Sequence, residues 1–186
     1  MTRAVVIGAS AGAIQALSRI LPELPDDYGI PILIVVHVPA DGSDLPQLFR
    51  AKCKLAVKEA EDKEPIRPGM IYFAPPDYHL LVEADRTVSL SLDEPVLYSR
   101  PSIDVLFESA ADAYGVHLTG VILTGANEDG AEGLAAVVQA GGVALVEDPA
   151  EAFATAMPSG ALARCPQATM LSLDAIRRHL LAIGAS

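Results

Sequence analysis

Short apolar runs alternate with amphipathic stretches along this chain, and that alternation sets the expected fold. Ala4-Val5-Val6-Ile7 ends in a small-residue turn, Gly8-Ala9-Ser10-Ala11-Gly12-Ala13. Apolar positions then recur at Ile14, Leu17, Ile20 and Leu21, the spacing of one helical face. Pro22 and Pro25 end that helix and Asp26-Asp27 open a loop. Ile32-Leu33-Ile34-Val35-Val36-His37-Val38 is a continuous β-branched run, the mark of a strand buried on both faces, and Pro39 closes it. Turn residues from Asp41 to Asp44 follow, and Leu45, Leu48 and Phe49 predict a short helix.

The middle of the chain reads differently. Leu55 to Ala60, Met70 to Ala74, His79 to Glu83 and Val88 to Leu92 are short strand-like runs, punctuated by Pro65, Gly69, Pro75-Pro76 and Asp85-Arg86. The stretch from Met70 to Leu92 reads as a β-meander or hairpin inserted in the scaffold. A helix is predicted from about Ser102 to Tyr114, with Ser102 as its cap. Val116 to Thr124 is the next buried strand, followed by a helix from about Ala131 to Gln139 that Gly141-Gly142 stops. Val143 to Val146 is another strand. Ala150 to Ala163 reads as a helix interrupted by Pro158, Gln167 to Leu173 as a last strand and Asp174 to Ile183 as a last helix. Strands alternating with helices imply an α/β fold: a doubly wound, mainly parallel sheet with helices on both faces and a small antiparallel hairpin insertion. No repeat or linker is visible, so residues 1–186 read as one domain.

Composition narrows the function. The formal net charge is -11 and no Lys/Arg cluster stands out, so neither nucleic acid nor an anionic membrane surface is an expected partner. Only 5% of residues are aromatic and there is no Trp, which argues against base-stacking platforms. Cys53 and Cys165 form no C-x-x-C and read as reduced structural thiols of a cytoplasmic protein. No apolar run approaches a membrane span. Gly8, Ser10 and Gly12 break the N-terminal run too often for a signal peptide. His37, His79, His117 and His179 lack metal-ligand spacing, so neither metal nor other cofactor is expected.

In such a fold, sites form at the carboxyl ends of the strands. The first predicted strand ends at Gly8 to Ser10, the second at His37, and the loop after the strand from Val116 carries Asp129. A hydroxyl, an imidazole and a carboxylate thus share one sheet edge, the groups of a nucleophile, a base and its orienter. Each has a plainer reading: Ser10 or Asp129 as a helix cap, His37 as a satisfied histidine at a strand end. Gly8 and Gly12 are expected to clear the approach to Ser10. A phosphate-cradling turn of a dinucleotide-binding domain is a rival. Against it, Ser10 stands where that fingerprint has its second Gly, and the second strand ends in His37 rather than an acidic residue.

A longer set of motifs occurs in order. Gly8-Ala9-Ser10-Ala11-Gly12, Val36-His37-Val38-Pro39, Val57 to Asp62, Pro68-Gly69 and Ala74-Pro75 are followed by Arg100-Pro101-Ser102-Ile103-Asp104-Val105-Leu106-Phe107, Gly120 to Gly125, Asp129-Gly130-Ala131 and Met157-Pro158. Together they resemble the catalytic domain of CheB-type protein-glutamate methylesterases, the chemotaxis-receptor demethylases, over nearly the whole chain. The resemblance implies hydrolysis of glutamyl γ-methyl esters on the cytoplasmic helices of methylated receptors, and deamidation of amidated ones. It places the catalytic serine, histidine and aspartate on Ser10, His37 and Asp129. It makes Arg100 a candidate to orient substrate, with a surface ion pair as the alternative. Ala13 stands where the family has a second Gly, Ala126-Asn127 where it has Met and Gly, and Val36 where it often has a polar residue. These departures spare the triad and bear on the oxyanion hole and substrate preference. Members often carry an N-terminal receiver domain, and this chain begins at the catalytic strand.

Ala11 N–H, directly after the nucleophile, is the expected oxyanion donor beside Gly12, with a second from the Gly125–Asn127 loop that holds Ala126. Asp129→Asn is expected to cut turnover with little loss of stability. The remaining alternative is a non-catalytic receptor-binding or regulatory module on the same fold.

Overall fold

The structure is a computed structural model that describes residues 2–38 and 44–185. The expected strand end at Pro39 and the turn over residues 41–43 lie outside them. The chain opens β1 (Ala4–Ala9), α1 (Ala13–Ser18), β2 (Ile32–Val36), α2 (Leu45–Lys52), β3 (Ala56–Glu59) and β4 (Met70–Phe73). A hairpin of β5 (His79–Val82) and β6 (Val88–Ser91) leads to α3 (Ile103–Tyr114). Then come β7 (Leu118–Ile122), α4 (Ala131–Gln139), β8 (Val143–Glu147), α5 (Ala156–Arg164), β9 (Thr169–Leu171) and α6 (Leu173–Gly184).

Seven strands form one parallel sheet in the order β3-β4-β2-β1-β7-β8-β9, and β5 and β6 pair antiparallel beside it. Every residue of β1 and β2 is buried, which is why both read as unbroken apolar runs. The side chains still alternate. Val5, Ile7 and Ala9 join the layer of α1, α2 and α6, whereas Ala4 and Val6 join that of α3, α4 and the hairpin. At six residues α1 is too short to stand alone, and the buried Ala13, Ala16 and Leu17 hold it to the sheet. A buried leucine of this kind contributes roughly 1.5–3 kcal/mol.

Three expectations need correction. Met70–Phe73 is not part of an inserted meander: it is β4, paired parallel with both β2 and β3. The antiparallel insertion is confined to β5 and β6. Pro158 does not interrupt a helix, because α5 begins only at Ala156 and Pro158 sits in its first turn, where no N–H is needed. The first helix ends at Ser18, before Pro22, which lies in a short 3-10 turn over Leu21–Glu23.

The chain steps from β1 to β2 on one side of β1 and later returns to β7 on the other. The carboxyl ends of β1, β2 and β7 thus flank a reversal of strand order, where open α/β sheets place ligand sites.

Candidate active site

His37 follows β2 directly, and Asp129 lies in the loop between β7 and α4. His37 Nε2 stands 2.7 Å from Asp129 Oδ2. The carboxylate is fully buried and the imidazole 13% exposed. An ionised carboxylate only accepts, so Nε2 carries the proton and Nδ1 is the basic nitrogen. Nδ1 lies 3.4 Å from Asn127 Nδ2.

Three more donors converge on the same carboxylate. Ser102 Oγ donates to Oδ1 at 2.9 Å, Ile103 N–H to Oδ2 at 2.7 Å and Asp104 N–H to Oδ1 at 3.0 Å. Asp129 therefore caps α3, a helix that starts twenty-odd residues upstream, rather than α4, which it immediately precedes. Ser102 occupies the N-cap position expected of it, but its hydroxyl turns to Asp129 instead of to its own helix. Burial alone would raise the Asp129 pKa. The hydrogen bonds from His37, Asp104 and Ile103 outweigh burial and hold it below the ordinary carboxylate value.

The capping is reciprocal. Asp104 Oδ1 accepts from Gly130 N at 2.9 Å and Gly133 N at 2.7 Å, closing the N-terminus of α4. Gly130 has φ 104°, a left-handed conformation that lets the chain turn straight from Asp129 into α4. Burial pushes the Asp104 carboxyl up to about 6, opposed by the Gly133 N–H and reinforced by the charge of Asp129. A second histidine supports the arrangement. His79 is buried, its Nδ1 accepts from Ser102 N at 3.1 Å, and its Nε2 lies 2.9 Å from the Glu94 carbonyl. Sequence reasoning missed Asp104 and His79 as site residues. The one signal for Asp104 was its place beside Ser102 in the quoted Arg100–Phe107 motif, and His79 looked like any strand residue.

Ser10 follows β1 as His37 follows β2. Ala9 and Val36 are paired in register, and His37 N donates to the Ala9 carbonyl at 3.2 Å. Ser10 and His37 therefore leave neighbouring strands side by side and line one cavity of about 230 Å³ with Gly12, Val38 and Leu45. Among the described residues no hydrogen bond joins the Ser10 hydroxyl to the imidazole, a looseness common in ligand-free hydrolases. The turn itself is braced by β7. Ser10 N donates to the Thr124 carbonyl at 2.9 Å, and Thr124 Oγ1 donates to the Ala11 carbonyl at 2.8 Å. Thr124 N in turn donates to the buried Glu147 carboxylate at 2.8 Å.

The two glycines of the turn are also needed for packing. A Cβ on Gly8 would overlap the Ile103 side chain, so Gly8 admits α3 against β1. Gly12 has φ 86°, and a Cβ there would stand 2.7 Å from Phe153 Cβ. Ala11 N–H has no acceptor within reach among the described residues. Of the loop after β7, Gly125 N–H is committed to the Ala154 carbonyl at 3.2 Å and offers nothing to a substrate, whereas Ala126 is exposed.

This geometry has close counterparts. The family model described as CheB methylesterase matches residues 5–180. The chain belongs to the CheB methylesterase family. The CheB methylesterase catalytic domain of Thermotoga maritima superposes with a TM-score of 0.93 at 32% identity, covering 98% of this chain and 99% of that one. A relative from Leptospira interrogans is 51% identical over 175 residues, 93% of this chain and 90% of that protein. A protein-glutamate methylesterase/protein-glutamine glutaminase of Halalkalibacterium halodurans is 40% identical over 164 residues, 86% of this chain. The chain spans 47% of that protein's length.

In this CheB-family chain Arg100 makes the ion pair considered for it. Its Nε and Nη2 donate to Asp77 Oδ1 at 3.0 and 2.7 Å, and Nη1 to the carbonyls of Leu92 and Asp93 at 3.1 and 3.2 Å. It also lines a cavity of about 370 Å³ with His37, Asp77 and Tyr98. No group of His, Cys, Asp and Glu among the described residues is arranged to hold a metal ion. Cys53 and Cys165 are free thiols. No helix among the described residues is long and apolar enough to cross a membrane.

Proposed function

We propose that this protein hydrolyses glutamyl γ-methyl esters on the cytoplasmic helices of chemotaxis-type receptors, with Ser10 as nucleophile, His37 as general base and acid, and Asp129 as its orienter. The observation that carries this reading is the 2.7 Å bond from His37 Nε2 to a buried carboxylate. It leaves Nδ1 as the base in the cavity shared with Ser10. Family membership supports the reading against a dinucleotide-binding domain.

Ser10 Oγ attacks the ester carbonyl carbon as Nδ1 takes its proton. The oxyanion of the tetrahedral intermediate accepts from Ala11 N–H, with Gly12 and Ala126 N–H beside it. One such donor is typically worth about 2.7–4 kcal/mol in the transition state. Collapse breaks the bond to the methoxy oxygen, which leaves as methanol with the proton from Nδ1. Water then attacks the glutamyl ester of Ser10, again giving its proton to Nδ1. Collapse returns that proton to Ser10 Oγ and frees the glutamic acid side chain, which ionises. Throughout, Asp129 holds the Nε2–H tautomer and stabilises the transient imidazolium. A receptor glutamine would follow the same route with ammonia as leaving group. Arg100, held by Asp77, faces the cavity as a cation that orients the substrate. Residues 1–186 act as one cytoplasmic catalytic unit in this reading.

Methanol release from methylated receptor tests it. Ser10→Ala is expected to abolish release. Full activity in that variant would sink the nucleophile assignment, and no release from the wild type would favour a binding module.

A further inference from the structure

The rim of the His37 cavity breaks two rules at one place. Val96 N donates to the Ser99 carbonyl at 3.0 Å and Ser99 N to the Val96 carbonyl at 2.8 Å, so Leu97 and Tyr98 form the tip of a two-residue hairpin. Both have positive φ, 48° and 64°. That geometry belongs to the type I′ turn, which favours Asn-Gly, because a Cβ in the left-handed region crowds the backbone. Here the tip is Leu-Tyr. Neither side chain is compensated by burial: Leu97 is 53% exposed and Tyr98 102%. Two large, mainly apolar side chains thus stand in water on a backbone that disfavours them. Folding gives no reason for this, and strained residues at a cavity mouth are a mark of recognition.

The surroundings say what is recognised. Tyr98 lines the same cavity of about 370 Å³ as His37 and Arg100, and Leu97, next to it at the tip, lines a separate groove with Glu128 and Arg164. Beside the nucleophile turn, Phe153 lies against Gly12 and is itself 81% exposed. An ester held between Ser10 and His37 would therefore have apolar side chains at the cavity mouth and at the turn. A methyl ester is too small to reach them, so the residues that flank it on the substrate protein must.

We propose that Leu97 and Tyr98 are a substrate-reading tip that grips aliphatic side chains next to the esterified glutamyl. This rests on the methylesterase reading and adds the sequence context that the enzyme selects. The tip touches no reacting atom, so recognition and bond breaking separate experimentally.

The double variant Leu97→Asn/Tyr98→Gly supplies the residues the turn geometry favours. Its Tm is expected to rise by roughly 2–4 °C. Hydrolysis of p-nitrophenyl acetate is expected to stay unchanged. Two synthetic helical peptides carry a glutamyl γ-methyl ester flanked by leucines in one and by serines in the other. Wild type should favour the leucine peptide about tenfold in kcat/KM, chiefly through KM, and the variant should lose that preference. A variant that keeps the preference to within twofold overturns the proposal. So does an equal loss on p-nitrophenyl acetate, which would place the tip in the chemistry. Wild type inert towards all three esters would instead sink the methylesterase reading, and the tip proposal with it.

Discussion

Replacing Asp129 by Asn changes one atom and is expected to damage both catalysis and the fold. Each carboxylate oxygen accepts two hydrogen bonds: Oδ1 from Ser102 Oγ and Asp104 N, Oδ2 from His37 Nε2 and Ile103 N. An amide has one accepting oxygen and an NH₂ group that only donates. With its NH₂ in the Oδ2 position it faces Ile103 N–H, and in the Oδ1 position it faces Asp104 N–H. Either way one buried backbone donor loses its acceptor, at a cost of about 1–3 kcal/mol. Loss of the negative charge at the α3 N-terminus adds roughly 0.3–1 kcal/mol. The sum, about 1–4 kcal/mol, corresponds to a Tm lower by roughly 3–15 °C for a chain of this size. This exceeds the small loss of stability expected from the sequence, because Asp129 also caps α3. The amide orientation that spares Asp104 N–H also points NH₂ at His37, which would move the imidazole proton to Nδ1 and remove the base. Turnover should then fall by about 10³–10⁴. Thermal melts and methanol release on the same preparation are the assay. A Tm within 1 °C of wild type, or turnover within threefold, would refute the reasoning.

Asp104→Asn keeps an oxygen for Gly130 and Gly133 N–H while removing a charge next to Asp129. The wild-type carboxyl titrates at about 6 in the fold against an ordinary 3.8. The folded state therefore binds more protons than the unfolded one between these values, and this group's contribution to stability falls as pH rises from about 4 through 6. The variant's stability relative to wild type should be higher at pH 8 than at pH 4, by up to roughly 3 kcal/mol. Equal differences at the two pH values, read from urea melts, would contradict this. His79→Asn keeps an acceptor for Ser102 N and should retain most of kcat. His79→Leu leaves that N–H orphaned, loosens Ser102 from Asp129, and should lower kcat about tenfold at unchanged KM. Steady-state kinetics on the pair distinguishes positioning from simple packing.

The parts of the fold that read clearly in the sequence are those whose reasons are local. β1, β2 and β7 are buried on both faces and bounded by turn residues, so their runs are unbroken and their ends evident. That was enough to bring Ser10, His37 and Asp129 to one edge. β4 misled because parallel neighbours usually require a helical crossover. Here residues 60–69 join β3 to β4 with neither helix nor strand, a pattern that looks like an antiparallel meander. The rest of the candidate site was hidden for a different reason. Asp104 is buried because Gly130 and Gly133 need an acceptor, and His79 because Ser102 N–H and the Glu94 carbonyl face it. These partners lie between 15 and 29 residues away along the chain. No periodicity reports such pairings. The Leu97-Tyr98 tip was invisible for the opposite reason, since neither residue is turn chemistry. Gly8 has a further role that the sequence does not show, since its missing side chain makes room for Ile103.

The most direct test of the central claim is the site of covalent labelling by a fluorophosphonate, mapped by peptide mass spectrometry. The account predicts one adduct on Ser10, absent in Ser10→Ala and formed about 10²–10⁴ times more slowly in His37→Gln. No adduct at all, an adduct on another serine, or labelling of His37→Gln at the wild-type rate would contradict it.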